Sequence, residues 1–218
     1  MHMQHKVRSV VLVGVLLAAS SEARAAGSES SIRGLEMAFR SGVLIPGGDV
    51  QTYTFPDEGG PDSISNWFGP QIPLWVDVGY RLDRWFFGGY VQYAYGFAIC
   101  PTDSNCSAWA IRTGVESQFH PADWKLIDPW FEIGFGYEWN SYSATTSVPS
   151  TTFQFSTTFH GVEFLRLGVG ADFAVARDLR LGPFMEFSLG EFLGLSSSAA
   201  VPALHFWFGV GIKLTWAP

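Results

Sequence analysis

Phe206–Trp216 reads FWFGVGIKLTW. Phe206, Phe208, Val210, Ile212, Leu214 and Trp216 fall on every second position, with Trp207, Gly209, Gly211, Lys213 and Thr215 between them. A repeat of two is the period of a β-strand, whose successive side chains point to opposite faces; a helix needs apolar residues three and four apart. One face of this stretch is wholly apolar. The other mixes small residues with a single cation, so the strand divides an apolar surrounding from a cramped, polar one.

The same alternation recurs upstream. Leu35, Met37 and Phe39 share a face against Glu36, Ala38 and Arg40. Ile72, Leu74, Val76, Val78 and Tyr80 alternate with Trp75, Asp77, Gly79 and Arg81. Phe87, Val91, Tyr93 and Tyr95 oppose Gly88, Gln92 and Gly96, and Trp109, Ile111 and Val115 oppose Arg112, Gly114 and Glu116. In the second half, Phe131, Ile133 and Phe135 alternate with Glu132, Gly134 and Glu138. Leu165, Leu167 and Val169 alternate with Phe164, Arg166 and Asp172, and Leu181, Met185 and Phe187 with Gly182 and Glu186. This predicts an all-β chain of about eight strands, each about ten to thirteen residues long, enough to cross a bilayer at a tilt of roughly 45°.

The connections are expected to alternate in length. Short ones fall near Leu82–Arg84, His120–Pro129 and Ala176–Arg180; longer ones run over Pro46–Pro70, Cys100–Cys106, Tyr142–Thr158 and Glu191–Ala203. The long loops carry Asp49, Asp57, Glu58, Asp62, Asp103 and Glu191 and no Lys or Arg, whereas the short turns hold Arg84, Lys125, Arg177 and Arg180. Short turns at one end and long loops at the other are what an antiparallel up-and-down transmembrane β-barrel shows. An even strand count puts both ends of the barrel on the periplasmic side.

Composition agrees. Hydrophobic residues make up 47% of the chain and charged residues 15%, against about 25% charged in an ordinary soluble domain. The 24 glycines and 12 prolines disfavour long helices. A soluble eight-stranded barrel also alternates, but its polar face meets water and is rich in Lys, Glu and Thr. Here the minority face is mostly glycine with isolated charges of both signs: Glu36, Arg40, Asp77, Arg112, Glu116, Glu132, Glu138, Arg166, Asp172, Glu186 and Lys213. That suits a narrow lumen in which charges persist because they pair. Arg112 is placed to meet Glu132 or Glu138, and Lys213 to meet Glu36. Trp109, Trp130, Trp139, Tyr142 and Trp216 sit near strand ends, where interfacial aromatic belts are expected.

The N-terminus reads as an export signal. Lys6 and Arg8 precede the apolar run SVVLVGVLLAAS, and Ala23-Arg24-Ala25 supplies a small-x-small cleavage site. These features predict a signal peptide over 1–25 and a barrel domain over 26–218. The remainder is more acidic than the whole chain's net charge of −7, which argues against nucleic acid as a partner. Cys100 and Cys106 enclose PTDSN, a run of turn formers. In an oxidising compartment a disulfide is expected, with a free thiol pair as the alternative.

The chain resembles the small OmpA/OmpX-type outer-membrane β-barrels, from about Ile32 to Trp216. The resemblance rests on strand number, loop alternation and the ending GVGIKLTW. Gly211, Leu214 and Trp216 are similar to the C-terminal signal read by the barrel-assembly machinery in such proteins. Gly209 stands where that signal usually has a polar residue, and Ala217-Pro218 come after the aromatic. The resemblance implies a cell outer-membrane location, contact with outer-membrane lipids and lipopolysaccharide, and a monomer.

Chemistry is sparse. Beyond the leader there are three histidines: His120 in a turn, where solvation is expected, and His160 and His205 near the outer rim. His160 or His205 with Glu163 or Glu191 and Ser196–Ser198 would be the raw material of a lipid A-modifying site, but the His-x-Ser pattern of the deacylases is absent. No cofactor fingerprint or metal motif is present, and the acidic loops are either a solvated surface or a divalent-cation bridge to lipopolysaccharide. The expected protein is not an enzyme. Its lumen is either a salt-bridged plug or a small, gated pore.

Overall fold

A computed structural model describes residues 33–50, 62–100, 104–121, 126–148, 151–195 and 203–218. The proposed leader over 1–25 lies outside them, as do Ser196–Ser198 and the acidic loop residues Asp57, Glu58 and Asp103. The strands are β1 (Arg33–Val50), β2 (Asp62–Ser63), β3 (Phe68–Leu82), β4 (Trp85–Ala98), β5 (Ser104–Phe119), β6 (Ile127–Val148), β7 (Thr151–Ala176), β8 (Leu179–Leu195) and β9 (Ala203–Trp216), with one 3₁₀ turn at Ile64–Asn66. The long strands pair antiparallel in chain order, and β9 closes onto β1 from Met37↔Trp216 to Gly48↔His205. Eight strands therefore form a ring. The two-residue β2 only pairs with Asp49 and Val50 at the rim.

Side-chain parity builds the two surfaces. On β3, Ile72, Leu74, Val76, Val78 and Tyr80 are exposed, while Gln71, Trp75, Asp77 and Arg81 are buried. On β6 and β7, Phe135 and Val169 face outward, and Glu132 and Arg166 are buried inside. The outer wall is apolar on each of the eight long strands. Such an exterior is stable against hydrocarbon and not against water. At one end, Asp83 turns the chain from β3 to β4 with φ 55°. This left-handed conformation is tolerated by Asp better than by most residues.

The strands and their faces differ from the sequence expectation in several respects. The strands are longer than ten to thirteen residues: β6 has 22 and β7 has 26. The stretch expected as a loop over Tyr142–Thr158 is mostly a continuation of these two strands, paired from Tyr142↔Thr157 to Val148↔Thr151. Its Ser and Thr residues are compatible with a sheet when both edges of β6 have partners. Phe164, expected on the minority face, faces outward. The pairing of β7 with β8 shifts between Glu163 and Leu165, so Phe164 is the extra residue of a bulge and parity restarts after it. Finally, Trp130 and Tyr142 belong to the interior and not to the aromatic belts.

Candidate functional site: the lumen

The lumen is filled by layers of charge separated by rings. The turn end is set by Asp128, at the start of β6. Arg81 Nη1 donates to Asp128 Oδ2 at 2.7 Å, Arg180 pairs with the same carboxylate, and His120 Nδ1 hydrogen-bonds to Oδ1 at 2.8 Å. His120 is thus buried and tied down. The expectation of a solvated histidine fails because Asp128, assigned to a turn, is in fact inside the barrel mouth. Glu36 joins this layer through Arg81 at 3.6 Å.

The middle layer centres on Arg40 of β1. Its Nε donates to Asp77 at 2.6 Å, and Nη2 reaches Glu132 at 2.6 Å and Glu116 at 3.2 Å. One guanidinium therefore ties β1, β3, β5 and β6 together. The planar fork lies among the rings of Trp75, Trp130 and Phe184, with centroids 5.8, 5.3 and 5.8 Å away. A weakly hydrated, multidentate cation suits such a place better than lysine does. Arg166 forms a second centre: it pairs with Glu163 at 2.7 Å and Glu186 at 3.6 Å and lies 3.8 Å over the Tyr90 ring, while Tyr90 Oη donates to Glu163 at 2.9 Å. Lys213 spans the lumen from β9, donating to Gln118 at 2.8 Å and lying 3.4 Å from Asp172. Trp130 Nε1 and Thr215 Oγ1 also donate to Asp172.

The layer toward the loop end belongs to Arg112. It donates to Glu138 at 3.3 Å, Gln92 at 3.1 Å, and Gln71 and Asn140 at 3.4 Å each, and sits 4.3 Å over the Trp207 ring. His205 pairs with Glu138 and stacks on Phe192. Above it, Trp67, Phe68, Tyr142 and Phe159 make an edge-to-face cluster.

All the charges read from the minority face — Glu36, Arg40, Asp77, Arg112, Glu116, Glu132, Glu138, Arg166, Asp172, Glu186 and Lys213 — are buried in this interior. Of the expected pairs, Arg112 meets Glu138. Lys213 does not meet Glu36. The closing register sets Lys213 opposite Arg40, and pairing with β9 begins only at Met37, so the lysine turns to Asp172 instead. The lumen charges named from the sequence left out Arg81, Asp128 and Glu163, and Gln71, His120 and His205 were not expected inside; Gln92 and Gln118 lie inward as the alternation placed them. Arg81 shares the parity of Asp77 and was legible; Glu163 is hidden by the bulge. Glycines such as Gly114, Gly136 and Gly211 make room for rings more than for long charged chains: a Cβ would strike Tyr90 at the first two and Phe184 at the third.

The constellation considered for lipid chemistry is divided by the wall. Glu163 and His205 are inside, held by Arg166 and Glu138. His160 lies opposite Trp139, whose side chain is exposed, and shares a 2.7 Å hydrogen bond with Tyr137 Oη. Cys100 and Cys106 are joined in a disulfide at the loop end, and Tyr142 Oη donates to Ile99 O beside it. Gly211, Leu214 and Trp216 lie on the closing strand β9.

No family model matches the chain, and no curated protein is detectably similar to it in sequence. Among solved structures, Neisserial surface protein A (NspA) is similar at 9% identity and a TM-score of 0.52, over 85% of this chain and 99% of that one. The chain has the fold of a small eight-stranded outer-membrane β-barrel. Outer membrane protein AlkL (12% identity, TM-score 0.45, 91% of this chain and 98% of that one) and Ail of Yersinia pestis (12%, 0.40, 82% and 97%) also match. At such identities the likeness concerns the barrel fold, and what this barrel does has to be argued from its own lumen and rim.

Proposed function

We propose that this chain is an outer-membrane β-barrel protein with a closed, salt-bridged lumen and a structural or surface-interaction role, not an enzymatic one. The observation that carries the proposal is Arg40, which bridges Asp77, Glu116 and Glu132 on three different strands across the interior. Eight strands leave an interior just wide enough for side chains to fill. Here Trp75, Tyr90, Trp130 and Trp207 occupy it together with the ion pairs. A solute would have to break several charge-assisted bonds in series to pass. The parts left to act are therefore the wall, which would meet outer-membrane lipid, and the loop end, which would face lipopolysaccharide and the exterior. Insertion by the barrel-assembly machinery through the β9 ending belongs to the same proposal.

A gated channel is the second reading. It is favoured by Arg40 Nη1, Asp77 Oδ1 and Glu132 Oε1, which are buried without a hydrogen-bond partner among the described residues. Such atoms mark a network that could rearrange. Liposome swelling decides between the two. Proteoliposomes loaded with an impermeant polymer and diluted into a small isotonic sugar should stay unswollen; swelling that scales with protein content would overturn the closed lumen.

A further inference from the structure

Among the described residues, the β6–β7 hairpin leaves one strand edge unpaired. Thr151–Thr158 of β7 pairs with β6 on one side, from Thr151↔Val148 to Thr158↔Ser141. On the other side β8 begins only at Phe159↔Leu195, so among the described residues no strand pairs with that edge over Thr151–Thr157. Thr152, Phe153, Gln154, Phe155 and Ser156 are all exposed, the two phenylalanines by 63% and 52%. No Asp, Glu, Lys or Arg occurs between Glu138 and Glu163. Exposed edges are usually protected by charge, proline or a bulge. Residues 151–157 of this edge have none of these.

The sequence of the edge also says what fits it. Thr151-Thr152-Phe153-Gln154-Phe155-Ser156-Thr157 is nearly symmetric about Gln154. Two copies pairing antiparallel about a two-fold axis at Gln154 would set Phe153 opposite Phe155 twice on one face. On the other they would set Thr152 opposite Ser156 twice. Aromatic pairs and hydroxyl pairs directly across a ladder are both favourable. A two-fold contact uses the same patch on each partner, and a self-symmetric edge meets that condition.

We propose that this edge is a homotypic docking site whose occupant is the same strand of a second copy of this chain, presented from an opposed membrane. The geometry sets the orientation. The two-fold axis of an antiparallel pair stands perpendicular to the sheet. In a barrel wall that direction is radial and lies in the membrane plane, so the axis inverts the second barrel. Within one membrane the protein remains the expected monomer; pairing joins barrels across two. This rests on the surface-interaction reading above and names its partner.

The test uses the full barrel in phosphatidylethanolamine–phosphatidylglycerol vesicles, with clustering followed by light scattering. Wild-type vesicles should cluster. Thr152→Lys with Ser156→Lys places like charges opposite one another at both positions and should abolish clustering. Thr152→Lys with Ser156→Glu places opposite charges there and should preserve it. Both variants should keep the wild-type gel mobility of the folded barrel, since both changes lie on an exposed edge. Failure of the wild type to cluster, or equal clustering by both variants, would overturn the proposal. Swelling of the vesicles would bear on the closed lumen alone and leave this result standing.

Discussion

Arg112 illustrates what one lumen side chain does. Its guanidinium satisfies Glu138, Gln92, Gln71 and Asn140 at once. Arg112→Ala leaves the Glu138 carboxylate buried with His205 as its remaining ionisable partner. Removing one member of a buried pair costs roughly 3–5 kcal/mol, and denaturant unfolding of the barrel in lipid should show a loss of that size. Arg112→Lys should recover only part of it, because an ammonium lacks the planar fork. On the outer wall the signs reverse. Phe135 is exposed to the surrounding phase, and Phe135→Arg should cost about 2–4 kcal/mol if that phase is the middle of a bilayer. Folding into lipid as stable as wild type would contradict the assigned parity. Parity of this kind was legible from alternation alone at Phe135, Val169, Glu132 and Arg166. It was not legible at Phe164 or Glu163, where a bulge inserts one residue and reverses the alternation across it. Nor was it at Trp130, because a tryptophan suits an interface belt and a ring-filled lumen equally well by composition.

At the scale of elements, the alternation located the eight long strands but not their ends. Strand ends depend on what pairs alongside, which is a property of neighbours and not of the segment. Thr145 and Thr146 belong to β6 because β5 reaches Ser104 on one side and β7 returns on the other. Amides of Tyr142–Ser147 should therefore exchange with deuterium as slowly as strand amides, and loop-like exchange would contradict the extended hairpin. The disulfide is a separate element. Cys100 and Cys106 close only the connection from β4 to β5. Changing both to serine should leave barrel assembly intact, as read by heat-modifiable gel mobility, while proteolysis at that connection becomes faster. A barrel that fails to assemble without the bond would show that the rim helps to nucleate the wall.

The whole molecule joins a wall that is legible in its sequence pattern to an interior that had to be seen. The pattern told which residues face inward but not which partners they choose, since partners lie across the barrel. Lys213 meets Gln118, 95 positions away in the chain, and Tyr90 meets Glu163. In the closed-lumen proposal, those crossing bonds are what would make the interior a plug and not a pore. The most direct test is single-channel recording of the purified barrel in planar bilayers, wild type beside Arg40→Ala. Wild type should give no steady conductance, and Arg40→Ala, which removes the bridge among Asp77, Glu116 and Glu132, should show openings or a less stable barrel. Sustained wild-type conductance, unchanged by loss of Arg40, would contradict the closed lumen.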